Sequence, residues 1–345
     1  MFQRTFLAIA ALGLAFGQVA CSDVSEGSAQ GAVGNDGPII LQSPTPGEQL
    51  LQKMQRAATG VAYSGVRRVE QTWRVGEETI STSYREEVAS DGEGRFALRS
   101  LELIAPSLPE PSEELWRMLQ GSREGFLFRY RDFRIHDVAS MVTNYSPILL
   151  GTNVHVAGRV CDEMMFALRH GASFTYNLAV DRETGLVMRC AQVATDGHVM
   201  GLVEFESIEL NPSFAADFEW HVPSNDEQPL PDGQASRLAV AGFVPLQPQS
   251  DGGRFTLVES TVLRSEDPAG EGEVAWVKST LTDGVEVVFV LHGGSDPSLT
   301  SEDVMRVAPS VGPWNHVEGT LRQQRFMALG RASVDELLDL IASTL

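Results

Sequence analysis

The sequence is poor in cysteine, in positive charge and in long apolar runs. Only three cysteines occur in 345 residues, too few for a scaffold held together by disulfides. Lys and Arg number 26 against 46 Asp and Glu, which gives a formal net charge of −20. Nucleic-acid phosphates repel such a surface unless its basic groups are segregated, and the longest basic cluster is Arg67-Arg68. We therefore expect no nucleic-acid partner.

The sequence also lacks the patterns that metal sites and common hydrolases require. None of its seven histidines lies at helical ligand spacing or in a His-Glu-x-x-His pattern. The Gly-rich stretch Leu291–Ser295 resembles an esterase loop, but no Gly-x-Ser-x-Gly nucleophile elbow accompanies it. We expect a protein that is not an enzyme, with no catalytic residue, no metal site and no cofactor.

The longest apolar run lies at the N-terminus. Thr5–Phe16 follows Arg4 and is shorter than the ~20 residues that a membrane-spanning helix needs, which is typical of an export signal. Cys21 follows small residues, as the lipidated cysteine of a bacterial lipoprotein does; Gln18 departs from that pattern, so ordinary cleavage is the alternative. We expect residues 1–20 to be a signal peptide, Cys21 to attach the periplasmic protein to a membrane through a lipid, and residues 21–42 to be a flexible tether.

The next region predicts a helix followed by an antiparallel sheet. Thr45-Pro46-Gly47-Glu48 is a helix-start pattern, and an apolar stripe follows it as far as Gly60. The apolar period then changes to two, which predicts strands over Val69–Val75, Ile80–Val88 and Arg95–Ile104. A short helix over Glu113–Gln120 and a strand at Phe126–Tyr130 are also expected, and four more strands form a meander over Asn144–Asn211.

A change of composition divides the chain in two. Residues 213–236 are rich in Pro, Asn and Asp, which predicts a linker. Beyond it, strands are expected over Phe255–Leu263, Glu273–Leu281 and Val285–His292, and a Ser333-x-x-Glu336 capping box opens a final helix. We expect a first domain over residues 43–212 and a second over residues 237–345, both α+β and mainly β.

Cys161 and Cys190 leave two possibilities open. An oxidising compartment favours a disulfide between them. In a regular meander, however, one strand separates the two cysteines, and two strand spacings amount to roughly 9–10 Å, beyond the ~7 Å limit of a bridge. We favour two buried free thiols.

Several short motifs resemble the MucB/RseB family of periplasmic sigma-factor regulators. They are Asn144-Tyr145, Val156-Ala157-Gly158-Arg159, Tyr176–Asp181, Thr184-Gly185-Leu186 and Asp196-Gly197, in that order. Tyr63-Ser64-Gly65 fits the opening strand of the family, and Gly242-Phe243 and Asp283-Gly284 fit its second domain, although Ala239-Val240 replaces the usual Leu-Pro. The resemblance extends over roughly Thr45–Leu345.

The resemblance implies both a fold and a function. The first domain would be a curved, incomplete antiparallel barrel of the LolA/LolB type, covered by helices and able to accept an acyl-chain lipid or lipoprotein ligand. The second would be a smaller antiparallel domain that helps to bind the periplasmic part of an anti-sigma factor and so restrains an envelope-stress sigma factor. The alternative is a periplasmic lipid or lipoprotein carrier without a regulatory role. The expected lipid-binding residues are Trp73, Tyr84, Phe96, Leu98, Phe126 and Phe128.

Arg159 belongs to the most specific of these motifs. Its position in the meander allows an ion pair with an acidic neighbour or a contact with the anionic head group of a ligand. We favour the ion pair.

Overall fold

The structure, a computed structural model, describes residues 46–75, 78–106, 132–169, 174–220, 228–245, 253–266, 273–295, 304–311 and 314–343. The signal peptide, Cys21, the tether, the helix expected over Glu113–Gln120 and the strand containing Phe126 and Phe128 lie outside these residues.

The first unit combines two helices, among the described residues, with one eight-stranded antiparallel sheet. Its strands are ordered β3-β2-β1-β8-β7-β6-β5-β4, so β3 and β4 form the two edges, and among the described residues the sheet stays open. Its elements are α1 (Pro46–Gly60), β1 (Ala62–Val75), β2 (Glu78–Asp91), β3 (Phe96–Pro106), α2 (Val138–Asn144), β4 (Tyr145–Val156), β5 (Arg159–Leu168), β6 (Phe174–Asp181), β7 (Val187–Ala194) and β8 (Val199–Leu210).

The second unit is a seven-stranded antiparallel sheet with two helices. Its strands are ordered β13-β14-β15-β12-β11-β10-β9. Its elements are β9 (Gln228–Pro229), α3 (Gln234–Ala241), β10 (Thr256–Glu266), β11 (Glu273–Thr282), β12 (Val287–Ser295), β13 (Val304–Val311), β14 (Trp314–Leu321), β15 (Gln324–Gly330) and α4 (Val334–Ala342). The expected fold class, mainly antiparallel β with helices covering open sheets, is confirmed.

The helix boundaries that the sequence predicted for α1 and for the start of α4 are found in the structure. The hydroxyl of Ser333 accepts a hydrogen bond from the backbone N–H of Glu336, whose carboxylate accepts one from the N–H of Ser333, so the predicted capping box is present. At the other end of the chain, α1 begins at Pro46 and ends at Gly60, where the sequence predicted. The meander also forms, but with five strands, β4 to β8, instead of the four expected, because a turn at Ala157-Gly158 separates β4 from β5.

The boundaries expected for the two domains stay a prediction, but the second sheet begins early. Gln228–Pro229 pairs with Thr261 and Val262 of β10, and α3 starts at Gln234. Both lie within the segment whose composition predicted a linker, because a two-residue strand leaves no period for sequence reading to detect.

A tight turn of the second sheet docks into the first unit. We call residues 282–285, which join β11 to β12, the docking turn. Its Val285 belongs to the same hydrophobic core as Met141, Phe166 and Tyr176 of the first unit. Gly284 has φ +100°, and a Cβ built on it would lie 2.2 Å from the backbone nitrogen of Met141. Glycine is therefore required both by its φ and by its close approach to α2.

A buried polar network surrounds the docking turn. The Tyr145 hydroxyl donates to Asp283 Oδ2 over 2.8 Å, and Arg254 Nε donates to the same oxygen over 2.5 Å. Asn144 Nδ2 donates to the backbone oxygens of Arg254 and Asp283. Burial, reinforced by the neighbouring carboxylate of Asp283, raises the pKa of Tyr145 well above its usual value. The phenol therefore stays protonated and acts as a permanent donor.

Candidate functional site

One face of the first sheet, together with α1, borders a cavity of about 130 Å³ that is partly open to solvent. Its third wall is a segment without regular secondary structure, residues 132–137, which precedes α2. We call this segment the strap. The apolar lining of the cavity comes from α1, the strap and the sheet, and consists of Met54, Ala57, Phe96, Phe133, Ile135, Leu186, Val187, Val203 and Phe205.

Helix α1 covers the sheet because its apolar stripe faces inward and one glycine lets it approach closely. Leu50, Leu51 and Met54 are buried in the core below it. Gly185, in the turn between β6 and β7, has φ +84°, and a Cβ there would lie 2.6 Å from the carbonyl carbon of Lys53. The Lys53 ammonium also donates to the backbone oxygen of Arg182 over 3.0 Å. The helix is thus fixed to this turn by backbone contact as well as by its apolar face.

The cavity wall contains a buried ion pair. Arg67 of β1 and Glu86 of β2 are register partners, and Arg67 Nε donates to Glu86 Oε1 over 2.5 Å. Their side chains are only 3% and 0% exposed. Two charges removed from water in this way are costly unless they remain paired, and removal of one partner leaves the other uncompensated.

Asp132 of the strap closes the same network from the other side of the cavity. Arg67 Nη1 donates to Asp132 Oδ2 over 2.7 Å, and the side chain of Asp132 is 32% exposed. The Arg67 guanidinium carbon also lies 6.0 Å from the centre of the Phe205 ring. Next to it, burial raises the pKa of Tyr63 to about 12. Ser90, Arg95 and Arg134 also contribute polar groups to the lining.

This polar centre was not predicted from the sequence, although the pattern that produces it is present there. Arg67 has the same strand parity as Tyr63 and Val69, and Glu86 the same parity as Tyr84 and Val88. The inward-facing side chains of β1 therefore include one positive charge, Arg67, and those of β2 include one negative charge, Glu86. The strand register places these two residues opposite each other. Asp132 lies in an irregular segment, where no period shows which way a side chain points.

The structure locates three of the six residues expected to bind lipid. Phe96 lines the cavity. Tyr84 lies on the same face of the sheet, is 3% exposed and donates to Gln71 Oε1 over 3.4 Å. Leu98 of β3 is half-buried. Trp73 lies on β1, but its side chain is outside the described residues, as are Phe126 and Phe128 as a whole. The role of all six in lipid binding stays a prediction.

The two cysteines are free thiols, as favoured from the sequence, but only Cys161 is buried and Cys190 is half-buried. Cys161 on β5 pairs with Asp181 of β6, and Cys190 on β7 pairs with Leu178 of the same strand, so β6 separates them. Cys190 also lines the cavity. Burial raises the pKa of Cys161 to about 11 and that of Cys190 to about 12, so both thiols react slowly near neutral pH.

Arg159 forms the expected ion pair. Its Nε and Nη2 donate to the two carboxylate oxygens of Asp181 over 2.7 and 3.1 Å, and Nη2 also donates to Glu183 Oε2 over 2.7 Å. Burial alone would raise the pKa of Asp181, but hydrogen bonds from Arg159 and Thr184 outweigh it and the pKa is lowered. Arg159 therefore fixes the turn after β6.

Two general features of the described residues bear on the site. No group of three or more His, Cys, Asp or Glu side chains among them is arranged to hold a metal ion. Within the same ranges, no helix is long and apolar enough to cross a membrane.

The segment that contains the strap and the meander also carries the family signal. Residues 120–231 match the family described as the MucB/RseB N-terminal domain. The resemblance to MucB/RseB is confirmed. The match includes the cavity wall from the strap to β8, whereas α1 and strands β1 to β3, which also line the cavity, lie outside it. A comparison with curated proteins found no match.

Solved structures similar to this MucB/RseB-like chain have low sequence identity. The MucA/MucB complex of Pseudomonas aeruginosa is 16% identical, with a TM-score of 0.48, and the match covers 86% of this chain and 97% of that one. A crystal structure of MucB is 16% identical, with a TM-score of 0.44 and coverages of 86% and 96%. A LolA superfamily protein from Nitrosomonas europaea is 9% identical, with a TM-score of 0.21 and coverages of 49% and 96%.

Proposed function

We propose that the chain is an exported regulatory protein that binds the periplasmic part of an anti-sigma factor and responds to a lipid or lipoprotein. The family match over residues 120–231 supports the regulatory part of this proposal. The acidic charge of −20 favours a basic partner segment, because complementary charge speeds encounter and rejects like-charged surfaces.

The observation that carries the lipid part is the cavity under α1. Apolar side chains form about half of its lining, and the guanidinium of Arg67 lies in the wall. Such a site suits a molecule with an acyl chain and an anionic group, because the chain replaces water against apolar walls while the anion pairs with arginine. Phe96 lines this cavity. The other side chains proposed to contact the acyl chain are Trp73, Tyr84, Leu98, Phe126 and Phe128.

The proposed location follows from the N-terminal sequence. Export to the periplasm and removal of residues 1–20 would leave Cys21 as the first residue, attached to a membrane by lipid. The mature protein would then act at the membrane surface, where both a membrane-bound partner and lipid are present. Replacement of Cys21 by Ser is expected to move the protein from the membrane fraction to the soluble periplasmic fraction; retention in the membrane fraction would contradict lipid anchoring through this residue.

Lipid binding is tested at Cys190, which lines the cavity. The mature protein is treated with a thiol-alkylating reagent, with and without dodecyl phosphate or dodecanoate. The rate at which the peptide that contains Cys190 is modified is followed by mass spectrometry. We expect either amphiphile to slow alkylation of Cys190 severalfold, because the acyl chain covers the thiol. Equal rates with and without both amphiphiles would contradict a lipid site in this cavity.

Partner binding is tested by capture from solubilised envelopes. We expect the immobilised mature protein to retain a membrane-bound anti-sigma factor, and to release it when dodecyl phosphate is added. If the protein protects Cys190 with lipid but retains no such partner, the regulatory role is wrong and the alternative, a lipid or lipoprotein carrier, remains.

A further inference from the structure

The strap connects the lipid cavity to the joint between the two sheets. We propose that an anionic amphiphile in the cavity displaces the strap and thereby loosens the docking turn of the second sheet. This inference rests on the proposed lipid site and adds to it the route by which occupancy of the cavity reaches the second unit.

One end of the strap forms part of the cavity. Asp132 is joined to Arg67 by a 2.7 Å contact, and Phe133 packs against Phe166 and Tyr176 with ring centres 4.9 and 5.2 Å apart. Ile135 is 4% exposed and lines the same space. A ligand that enters the cavity therefore meets the strap directly.

The other end of the strap holds the docking turn. The backbone N–H of His136 donates to the oxygen of Gly284 over 2.8 Å, and that of Asp137 reaches the same oxygen over 3.4 Å. Asp137 also caps α2, because its carboxylate accepts from the N–H of Ser140 over 2.6 Å. The cavity-lining residues 132–135 are thus followed directly in the chain by the two residues that make these interface contacts.

The two ends also share one core. Phe133 and Ile135 of the strap belong to the same hydrophobic cluster as Met141 of α2 and Val285 of the docking turn. Cores are close-packed, so a shift of Phe133 changes the contacts of its neighbours instead of being absorbed by empty space. Val285 therefore responds to movement of the strap through packing as well as through hydrogen bonds.

The strap is the wall that yields most readily. An engineered cavity of about 150 Å³ holds benzene, so a cavity of about 130 Å³ that is partly open to solvent takes up only part of a twelve-carbon chain unless a wall moves. The sheet is fixed by its ladder of backbone hydrogen bonds, and α1 is fixed against Gly185. Residues 132–135 lie outside any helix or strand, so they can shift without breaking a ladder.

The ion pairs of Arg67 provide a chemical route by which a ligand displaces the strap. Arg67 is shared between Glu86, which is buried, and Asp132, which is partly exposed. An anionic head group can replace the Asp132 carboxylate on Arg67 and leave the pair with Glu86 intact. Asp132 then turns toward water, where its charge is solvated at little cost.

Hydrogen exchange on the full mature protein tests the coupling. Peptides that cover residues 132–141 and 282–287 are followed with and without dodecyl phosphate, dodecanoate or the neutral dodecanol, while Cys190 alkylation reports occupancy. We expect both anionic amphiphiles to speed exchange in both segments by about tenfold, and dodecanol to bind with a much smaller effect. The phosphate and the carboxylate serve as separate arms because either head group could displace Asp132.

Two variants sharpen the test. Asp132→Asn weakens the hold on Arg67 and is expected to speed exchange in the docking turn without any lipid. Asp162→Asn is the matched control, because Asp162 pairs with Arg182 at the turn after β6, in an ion pair separate from the strap. This variant should leave hydrogen exchange in the docking turn unchanged.

The outcomes separate this inference from the lipid site itself. Protection of Cys190 with unchanged exchange at residues 282–287 overturns the coupling and leaves lipid binding in place. An equal response to dodecanol overturns the displacement of Asp132 by charge. No protection of Cys190 by either anionic amphiphile overturns the lipid site, and the coupling with it.

Discussion

The phenol of Tyr145 and the carboxylate of Asp283 are 138 residues apart in the chain and share a buried hydrogen bond of 2.8 Å. Tyr145 begins β4 in the first sheet, and Asp283 lies in the docking turn of the second. Both residues are fully buried. The two sheets are thus joined by a directional contact, which makes their relative position specific.

Removal of this hydroxyl tests its contribution. Tyr145→Phe is expected to lower the free energy of unfolding by about 1–2 kcal/mol, because Asp283 loses one donor in a buried site. Urea denaturation of the variant and the parent protein measures this loss of stability. Tyr84→Phe is the control, since the hydroxyl of Tyr84 bonds over 3.4 Å within the first sheet. If the two sheets unfold in separate steps, only Tyr145→Phe should move those steps further apart.

A methyl group on Gly284 tests the fit of the docking turn. Gly284→Ala is expected to destabilise the protein by more than the roughly 1–3 kcal/mol of a strained backbone, because its Cβ would clash with Met141. Gly94→Ala is matched to it, since Gly94 also has φ +100° but has open space around it. Equal losses of stability in the two variants would contradict a tight contact between the docking turn and α2.

His292 makes stability depend on pH. Its ring lies between Phe243 and Phe326, and within the described residues neither ring nitrogen has a hydrogen-bond partner. Burial lowers its pKa to about 4, whereas the unfolded chain keeps a value near ~6.5. Between these values the unfolded state binds more protons, so the free energy of unfolding falls as the pH falls from about 6.5 to 4.

Urea denaturation at a series of pH values checks this contribution. The loss of stability on acidification should be shallower in His292→Phe, which keeps an aromatic ring and removes the titrating group. His198→Gln, at an exposed position in the turn between β7 and β8, should keep the slope of the parent protein. A slope in His292→Phe as steep as that of the parent would show that His292 does not titrate in this range.

The thiols give the simplest chemical test. We expect Cys161 and Cys190 both to react in denatured protein without reductant, because both are free. In the native protein at neutral pH the same reaction should be slower by at least an order of magnitude, since burial raises both pKa values. Recovery of these two sulfurs only after reduction would show a disulfide instead.

Period and turn chemistry predicted most elements of this fold. The capping box at Ser333, the helix that begins at Pro46 and strands β5 to β8 of the meander are all local, so a few neighbouring residues specify each of them. Arg159 and its acidic partner could also be expected, because both lie in that meander. The charged centre of the cavity was readable from strand parity, once Arg67 and Glu86 were placed on inward stripes.

The joint between the sheets could not be predicted in this way. Gly284 and Met141 belong to elements 143 residues apart, and neither sequence neighbourhood encodes their contact. Asp132 and His136 lie in a segment without helix or strand, whose direction depends on the tertiary contacts that hold it. The cavity therefore follows from the sequence only in part, whereas its connection to the second sheet emerges only in the assembled structure.

The place of Val285 has a consequence for how the chain folds. The first sheet cannot complete its core until a residue from the second has been synthesised and brought across more than a hundred intervening positions. Contacts of such separation make folding slow and leave apolar surface open meanwhile. While the chain folds, the unfinished core around Phe133 and Met141 is where a chaperone would be needed, and a chain cut short before the docking turn would remain in that state.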